Sequence, residues 1–214
     1  MHEAIKNKTI KIGNIRTSQA ELLDIAKAWV AISLAFAFVY ANVTLFSGAS
    51  GIFSQRFLMV FGISLITAGI GFLFHELAHK LVAQRYGCVA EFRSFDQMLY
   101  LAVGLAFLVG FIFAAPGAVM IVGKVTRKEN GIISVAGPMT NFVLAGIFYL
   151  LLLMFGLGGE VLTTFLYTGF KINAWLGLFN LIPILNLDGR KVFEWNIPIW
   201  IGMAAIGIVM SFVL

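Results

Sequence analysis

Apolar stretches long enough to cross a lipid bilayer recur along almost the whole chain. They cover about residues 28–46, 57–83, 132–155, 161–185 and 197–214, and a membrane-spanning helix needs about 20 mostly apolar residues. Sixty per cent of the 214 residues are hydrophobic and only 12% are charged, well outside the range of a soluble domain. The sequence therefore predicts an all-α polytopic membrane protein, with five spans and a sixth, ambiguous segment at residues 98–123.

The chain is predicted to form one membrane-embedded domain. No polar block of domain size separates the apolar stretches, so residues 28–214 are assigned to this domain, with its core at 57–195 and without a PDZ or CBS domain. Residues 1–27 are mixed polar, unlike a signal peptide, and predict a tail. Within it, Ser18 and Glu21 have the spacing of a capping box, which predicts an interfacial helix leading into the first span.

The charge distribution predicts orientation. The net charge is +5, and basic residues cluster before the first apolar run. The cluster consists of Lys6, Lys8, Lys11, Arg16 and Lys27. The positive-inside tendency places such a tail in the cytoplasm, so we expect a multi-pass protein of the cell membrane with the lipid bilayer, not nucleic acid, as its partner. Because Cys88 is the single cysteine, a cysteine-rich zinc site is excluded and a metal would need His and carboxylate ligands.

The segment His75-Glu76-Leu77-Ala78-His79 has the H-E-x-x-H pattern of zinc peptidases. On an α-helix, His75 and His79 differ by about 40° in direction and about 6 Å in height, so both imidazoles can reach one ion. Glu76 stands where it can accept a proton from an attacking water. These polar groups lie in an apolar run, where ionisable residues are costly unless they are paired or bind a metal. The segment therefore indicates a metal site.

A catalytic zinc usually takes three protein ligands, and the third must come from elsewhere in the chain. Arg85 occupies the position where one zinc peptidase class has its third His, and Cys88 and Glu91 could return to the metal only by a sharp turn. Of the three aspartates, Asp24 lies in the tail and Asp96 in a connector.

Asp188 is the best candidate for the third ligand, because it directly follows a long apolar run. Pro183 disrupts the helix before it, and Gly189 permits a tight backbone path after it. The alternative is that Asp188 merely caps a helix in an ordinary loop.

Asn141 stands near the start of another apolar run, in Gly137-Pro138-Met139-Thr140-Asn141. A buried amide can donate a hydrogen bond to a developing oxyanion or orient the substrate carbonyl. The alternative is a hydrogen bond to a neighbouring helix, which is the more common role of a lone membrane Asn. Lys171 and Asn173, in the next run, are interpreted as structural polar groups.

Together, His75-Glu76-x-x-His79, Gly137-Pro138-x-x-Asn141 and Asn180-Leu-Ile-Pro183 with Asp188-Gly189 resemble the site-2 protease family (peptidase family M50) of intramembrane zinc metalloproteases. The resemblance covers roughly residues 57–195. It implies one Zn²⁺ per chain, bound by His75, His79 and Asp188, with Glu76 as general base and Asn141 as a substrate or oxyanion contact. It also implies that the substrates are transmembrane-helix proteins or peptides, cleaved within the bilayer.

The family resemblance further implies a re-entrant or β-hairpin segment between the first two motifs, which adds a strand to the substrate. We place the edge strand at residues 116–123, where β-branched residues follow Pro116-Gly117. The segment 98–123 is longer and more apolar than the corresponding family connection. If it returns to the side from which it enters, Arg127 and Arg190 lie on the cytoplasmic side, and the turn 48–51 and Gly158 lie opposite.

A non-proteolytic metal-binding or transport protein is the alternative function. In such a protein His75, His79 and Asp188 would form a permeation site, with Glu76 as a relay. Transport favours several acidic and His residues at different membrane depths. The sequence offers one such cluster, which favours an intramembrane zinc metalloendopeptidase over a transporter.

Overall fold

The computed structural model describes residues 9–12, 15–112 and 117–214, and most of these residues are helical. The elements in chain order are β1 (Thr9–Ile12), β2 (Ile15–Ser18), α1 (Gln19–Tyr40), α2 (Leu45–Gly48), a 3-10 turn (Ala49–Phe53), α3 (Gln55–Arg85), β3 (Val89–Ser94), α4 (Asp96–Val109), β4 (Gly117–Val122), α5 (Arg127–Phe155), α6 (Glu160–Asn180), α7 (Asp188–Trp195) and α8 (Ile197–Val213). The helical class is as predicted, with two small β-sheets added to it.

In the described part of the chain, three helices are long and apolar enough to cross a membrane, namely α1, α3 and α5. Their length and composition are consistent with a membrane protein. Helix α6 matches the predicted fourth span in position but carries Lys171 and Asn173, which lower its mean hydropathy. Helix α8 is apolar but short. The total of five or six spans stays a prediction.

Helix α1 begins at the predicted capping residue. The Ser18 hydroxyl accepts a hydrogen bond from the Glu21 backbone N–H at 3.2 Å, whereas the Glu21 carboxylate turns to Lys80. The helix continues without a break from Gln19 to Tyr40. The predicted interfacial helix and the predicted first span are therefore one helix.

Helix α3 carries the H-E-x-x-H segment on its C-terminal half. A π-helical turn, Leu65–Gly69, interrupts its regular α-helix. The Trp29 indole N–H of α1 donates to the Leu65 carbonyl at 2.8 Å, and a Cβ on Gly69 would collide with that indole. The turn thus holds α1 and α3 in close contact before the helix reaches the metal-binding segment.

Strands β3 and β4 form an antiparallel pair that lies in sequence between the first two motifs. The register joins Val89 to Val122, Phe92 to Val119 and Ser94 to Gly117. Helix α4 lies between the two strands in sequence, so the strands are joined by a helix and not by a tight turn. Because Ser94 and Gly117 are partners, the intervening chain leaves and returns at the same end of the sheet. Pro116, the predicted first residue of the edge strand, lies outside the described residues.

Helix α5 is the centre of the helical packing and contacts α3, α6 and α7. The chain turns between α6 and α7 with Leu185 in a left-handed conformation, at φ 52°. A Cβ on Gly189 would collide with the Leu181 carbonyl, so glycine allows the first turn of α7 to pack against the end of α6. This packing brings the N-terminus of α7 to α3 and α5, with Asp188 as its first residue.

Candidate metal centre

His75 and His79 lie one turn apart on α3, and both are buried. Their Nε2 atoms lie 3.2 Å and 2.9 Å from Oδ2 of Asp188. The potential ligand atoms of the three residues all lie within 4.8 Å of one another. The structure thus brings together the three residues that the sequence proposes as ligands, although His75 and Asp188 are 113 positions apart.

Each imidazole is oriented by a hydrogen bond on its other nitrogen. Nδ1 of His79 lies 2.7 Å from the Ile133 carbonyl oxygen, which can only accept, so this nitrogen carries the proton. Nδ1 of His75 lies 2.5 Å from Oδ1 of Asn141 and donates to it. Both Nε2 atoms therefore point at Asp188, where a proton on Nε2 bonds the carboxylate in the metal-free site and a bound metal takes the place of that proton. Partners of this kind fix the tautomer and the ring orientation of metal-binding His.

Asn141 is fully buried and joins three helices. Its Nδ2 donates to the Gly71 carbonyl at 3.2 Å and to Oδ1 of Asn173 at 3.1 Å, and Asn173 in turn donates to the Gly169 carbonyl at 2.9 Å. These bonds turn the Asn141 carbonyl oxygen toward His75. The geometry matches the alternative in which this Asn bonds neighbouring helices; its contact with substrate stays a prediction.

Asp188 is held as an anion. Burial by itself raises the pKa of this carboxyl, but the His79 and His75 imidazoles lie against it and hold its pKa well below the usual range. Lys191, one turn later on α7, places Nζ 3.7 Å from Oδ1. An ionised carboxylate is the form that binds a metal.

Gly137 leaves open the space in front of both imidazoles. A Cβ at this position would lie 2.5 Å from Nε2 of His75 and closer still to Nε2 of His79. Two imidazole nitrogens and a carboxylate oxygen form a donor set typical of catalytic zinc. Donor chemistry and free space together fit a zinc ion bound by His75, His79 and Asp188.

A cavity of about 260 Å³ adjoins these side chains. Its lining includes Glu76, Asn141, and Val119 and Ile121 of strand β4. The Val119 backbone lies close to the Glu76 carboxylate. Glu76 thus lines the same cavity as the proposed metal ligands and strand β4.

The other candidate ligands have partners elsewhere. Lys27 binds both Asp96 and Asp24, at 2.7 Å and 3.1 Å, Glu91 pairs with Arg93 at 2.6 Å, and Cys88 is buried as a free thiol. Within residues 9–12, 15–112 and 117–214, the His75, His79 and Asp188 group is the single set of three that could hold a metal.

Comparison with known proteins gives the family. The chain is 42% identical over 195 residues to "Putative zinc metalloprotease MJ0611" of Methanocaldococcus jannaschii, a match that covers 90% of this chain and 94% of that protein. The chain belongs to this family of proteins named as zinc metalloproteases. It is also 34% identical over 157 residues to "Putative zinc metalloprotease YwhC" of Bacillus subtilis, covering 63% of this chain and 68% of the relative.

A third relative matches a shorter region. "Zinc metalloprotease MJ0392" of Methanocaldococcus jannaschii is 30% identical over 128 residues, which cover 58% of this chain and 31% of that protein. No protein-family model matches the chain. No solved structure matches it.

Two residues of the site receive no role from the sequence. Gly137 belongs to a recognised motif, but its effect depends on how closely α5 approaches α3. Asn173 is interpreted from the sequence as a structural polar group, and the signal for a further role is that it is a second amide within an apolar run, like Asn141.

Proposed function

We propose that this chain is an intramembrane zinc metalloendopeptidase that hydrolyses peptide bonds of transmembrane proteins or peptides, as its resemblance to the site-2 protease family implies. The observation that carries the proposal is that the ligand atoms of His75, His79 and Asp188 lie within 4.8 Å of one another. The two histidines belong to a 31-residue apolar helix, and Asp188 packs against that helix. Burying these groups is costly without a metal. The family relatives named as zinc metalloproteases support zinc as that metal.

His75, His79 and Asp188 would hold the zinc. When bound there, zinc supplies Lewis-acid polarisation of the scissile carbonyl and lowers the pKa of water. Glu76 takes a proton from the attacking water as its oxygen bonds to the carbonyl carbon. Glu76 then returns that proton to the departing amine as the C–N bond breaks. Asn141 holds the His75 ring in place, and it would contact the substrate from the cavity wall only by exchanging one of its N–H bonds to Gly71 or Asn173.

The outer edge of β4 supports binding of an extended substrate. In an antiparallel pair, opposite residues either bond to each other or both face away. The Phe92 N–H donates to Glu21 at 2.9 Å, away from β4, so its partner Val119 also faces outward. By alternation, Gly117 and Ile121 share this direction. An extended peptide can add to such an edge through main-chain hydrogen bonds, and here the edge borders the cavity that contains Glu76.

The pairing of Ser94 with Gly117 supports the re-entrant topology. A segment that returns to its starting point keeps the basic turn at Arg127 on the side from which it entered. The next two helices, α5 and α6, then bring Arg190 back to that same side. The positive-inside tendency assigns this side to the cytoplasm. Single cysteines at positions 127, 190 and 49 in a Cys88→Ser background, labelled with an impermeant thiol reagent in intact cells, test this. Labelling of position 127 together with position 49 contradicts it.

The decisive experiment replaces the proposed base and keeps the proposed ligands. Glu76→Gln, purified as the full chain in detergent, is expected to keep one zinc per chain and to lose cleavage of a synthetic transmembrane peptide by about 10²- to 10⁴-fold. Glu160→Gln, an exposed position at the start of α6, is the matched control and should cleave normally. Wild-type cleavage by Glu76→Gln would show that the mechanism is wrong.

A further inference from the structure

Glu21 and Lys80 form a buried ion pair between α1 and the helix that carries His75 and His79. Glu21 is 0% exposed and Lys80 is 4% exposed. The Lys80 ammonium donates to both carboxylate oxygens, at 2.7 Å and 2.6 Å. The two residues lie 59 positions apart, so the pair joins distant parts of the chain.

The Glu21 carboxylate also holds strand β3. It accepts the Phe92 backbone N–H at 2.9 Å and the Thr17 hydroxyl at 2.7 Å. Four hydrogen bonds therefore satisfy this one carboxylate and connect α1, α3 and the β3–β4 sheet. The bond to Phe92 occupies the outer edge of β3 at its middle, which leaves β4 as the edge that faces the cavity.

The position of this pair relative to the site suggests what it does. Lys80 stands one turn after Glu76 on α3, so both side chains project from the same face of that helix. Phe92 is the register partner of Val119, and the Val119 backbone lies close to Glu76 in the lining of the same cavity. Glu21 thus braces the sheet against α3 on one edge, while Glu76 meets the sheet on the other edge.

We propose that Glu21 is a positioning residue, which acts through Lys80 and Phe92 to hold the β3–β4 sheet at a fixed place along the catalytic helix. A substrate strand added to β4 then presents one defined peptide bond to Glu76. Replacing a buried ion pair with apolar residues of similar size is often neutral for stability, so the contribution of this pair lies in the geometry that it fixes. This inference rests on the proposed function for its consequence in cleavage, but the bracing itself can be measured without activity.

The test uses the full chain in detergent with zinc. The main variant is Glu21→Met with Lys80→Met, which removes both charges together. Lys27→Met is the matched control, because it breaks an exposed ion pair on the same helix. The probe is a synthetic peptide with one apolar span flanked by lysines. The measurements are zinc content, amide hydrogen exchange of residues 89–94, KM, kcat, and the cleaved bond identified by mass spectrometry.

The double variant is expected to fold and bind one zinc per chain. Exchange at residues 89–94 should become faster, KM should rise about tenfold with kcat within about twofold, and cleavage should spread to neighbouring bonds. The Lys27→Met variant should match the wild type in every measurement. A folded double variant that cleaves the same single bond at wild-type KM would overturn the proposal, because a purely structural pair would leave the cleavage position unchanged.

Two further outcomes are distinguishable. If the wild type fails to cleave the probe, the proposed function fails, and hydrogen exchange then tests the bracing by itself. Unchanged exchange at residues 89–94 in the double variant overturns the bracing.

If the double variant does not fold, Glu21→Gln with Lys80→Met takes its place. This second variant has no buried charge and keeps an oxygen for Phe92, and spread cleavage supports the proposal while a single wild-type cleavage site overturns it.

Discussion

Replacement of Gly137 by alanine should expel the metal without removing any ligand. The added Cβ would lie 2.5 Å from Nε2 of His75 and closer still to Nε2 of His79, whereas non-bonded heavy atoms pack at about 3.5–4.0 Å. Zinc binds imidazole nitrogen at about 2.0–2.1 Å, so the methyl group and the ion compete for the same space. We expect zinc affinity to fall at least about 100-fold, which corresponds to about 2.7 kcal/mol.

The measurement is a zinc titration of the full chain in detergent against a chromophoric chelator, with metal content by mass spectrometry and the fold checked by circular dichroism. Gly146→Ala on the same helix is the matched control, because its Cβ meets nothing within 4 Å. Alanine favours a helix over glycine by up to about 1 kcal/mol, so helix destabilisation cannot explain a loss of zinc. Gly137→Ala protein that binds one zinc with wild-type affinity would refute the placement of the metal in front of Gly137.

Three other substitutions test separate parts of the site. Asp188→Ala should lower zinc content and cleavage together, because three ligands become two; full metal content would indicate a different third ligand. Asn141→Leu should lower zinc affinity about 10- to 100-fold by releasing the His75 ring, and Asn173→Leu should lower it by a smaller factor. Unchanged zinc affinity of the Asn141→Leu variant in a titration would show that Asn141 does not orient His75. Ile121→Pro deletes an outward N–H, so peptide cleavage should fall about tenfold while zinc stays bound; wild-type cleavage in the same assay would exclude strand addition at this edge.

The parts of the site that depend on helix periodicity or ligand chemistry could be predicted from sequence. His75 and His79 meet because residues four apart share a helix face. Asp188 is proposed because the donor set needs a third ligand and few acidic residues are placed to supply one. The helical class likewise follows from apolar runs that no soluble fold could bury.

The parts that depend on distances between elements could not be predicted. The Ser18–Glu21 spacing predicts a local capping box, but the Glu21 carboxylate binds Lys80 and Phe92, because a buried ammonium and a strand amide compete for it. The sequence also does not show that Asn141 would face His75, since that depends on the packing of α5 against α3. Helix α4, inserted between two paired strands, likewise could not be placed, because the apolar pattern of residues 98–123 fits either a span or a re-entrant segment.

The π-helical turn at Leu65–Gly69 bears on how this chain can change in length. Each residue of an α-helix turns the direction of all later side chains by about 100°, so loss of one residue from the α-helical part before His75 would swing both imidazoles away from Asp188. A π turn contains one residue more than an α turn. Removing a residue there would restore a regular helix and leave His75 and His79 facing Asp188. Within this long helix, the π turn is therefore the point at which a one-residue deletion is compatible with an intact metal centre.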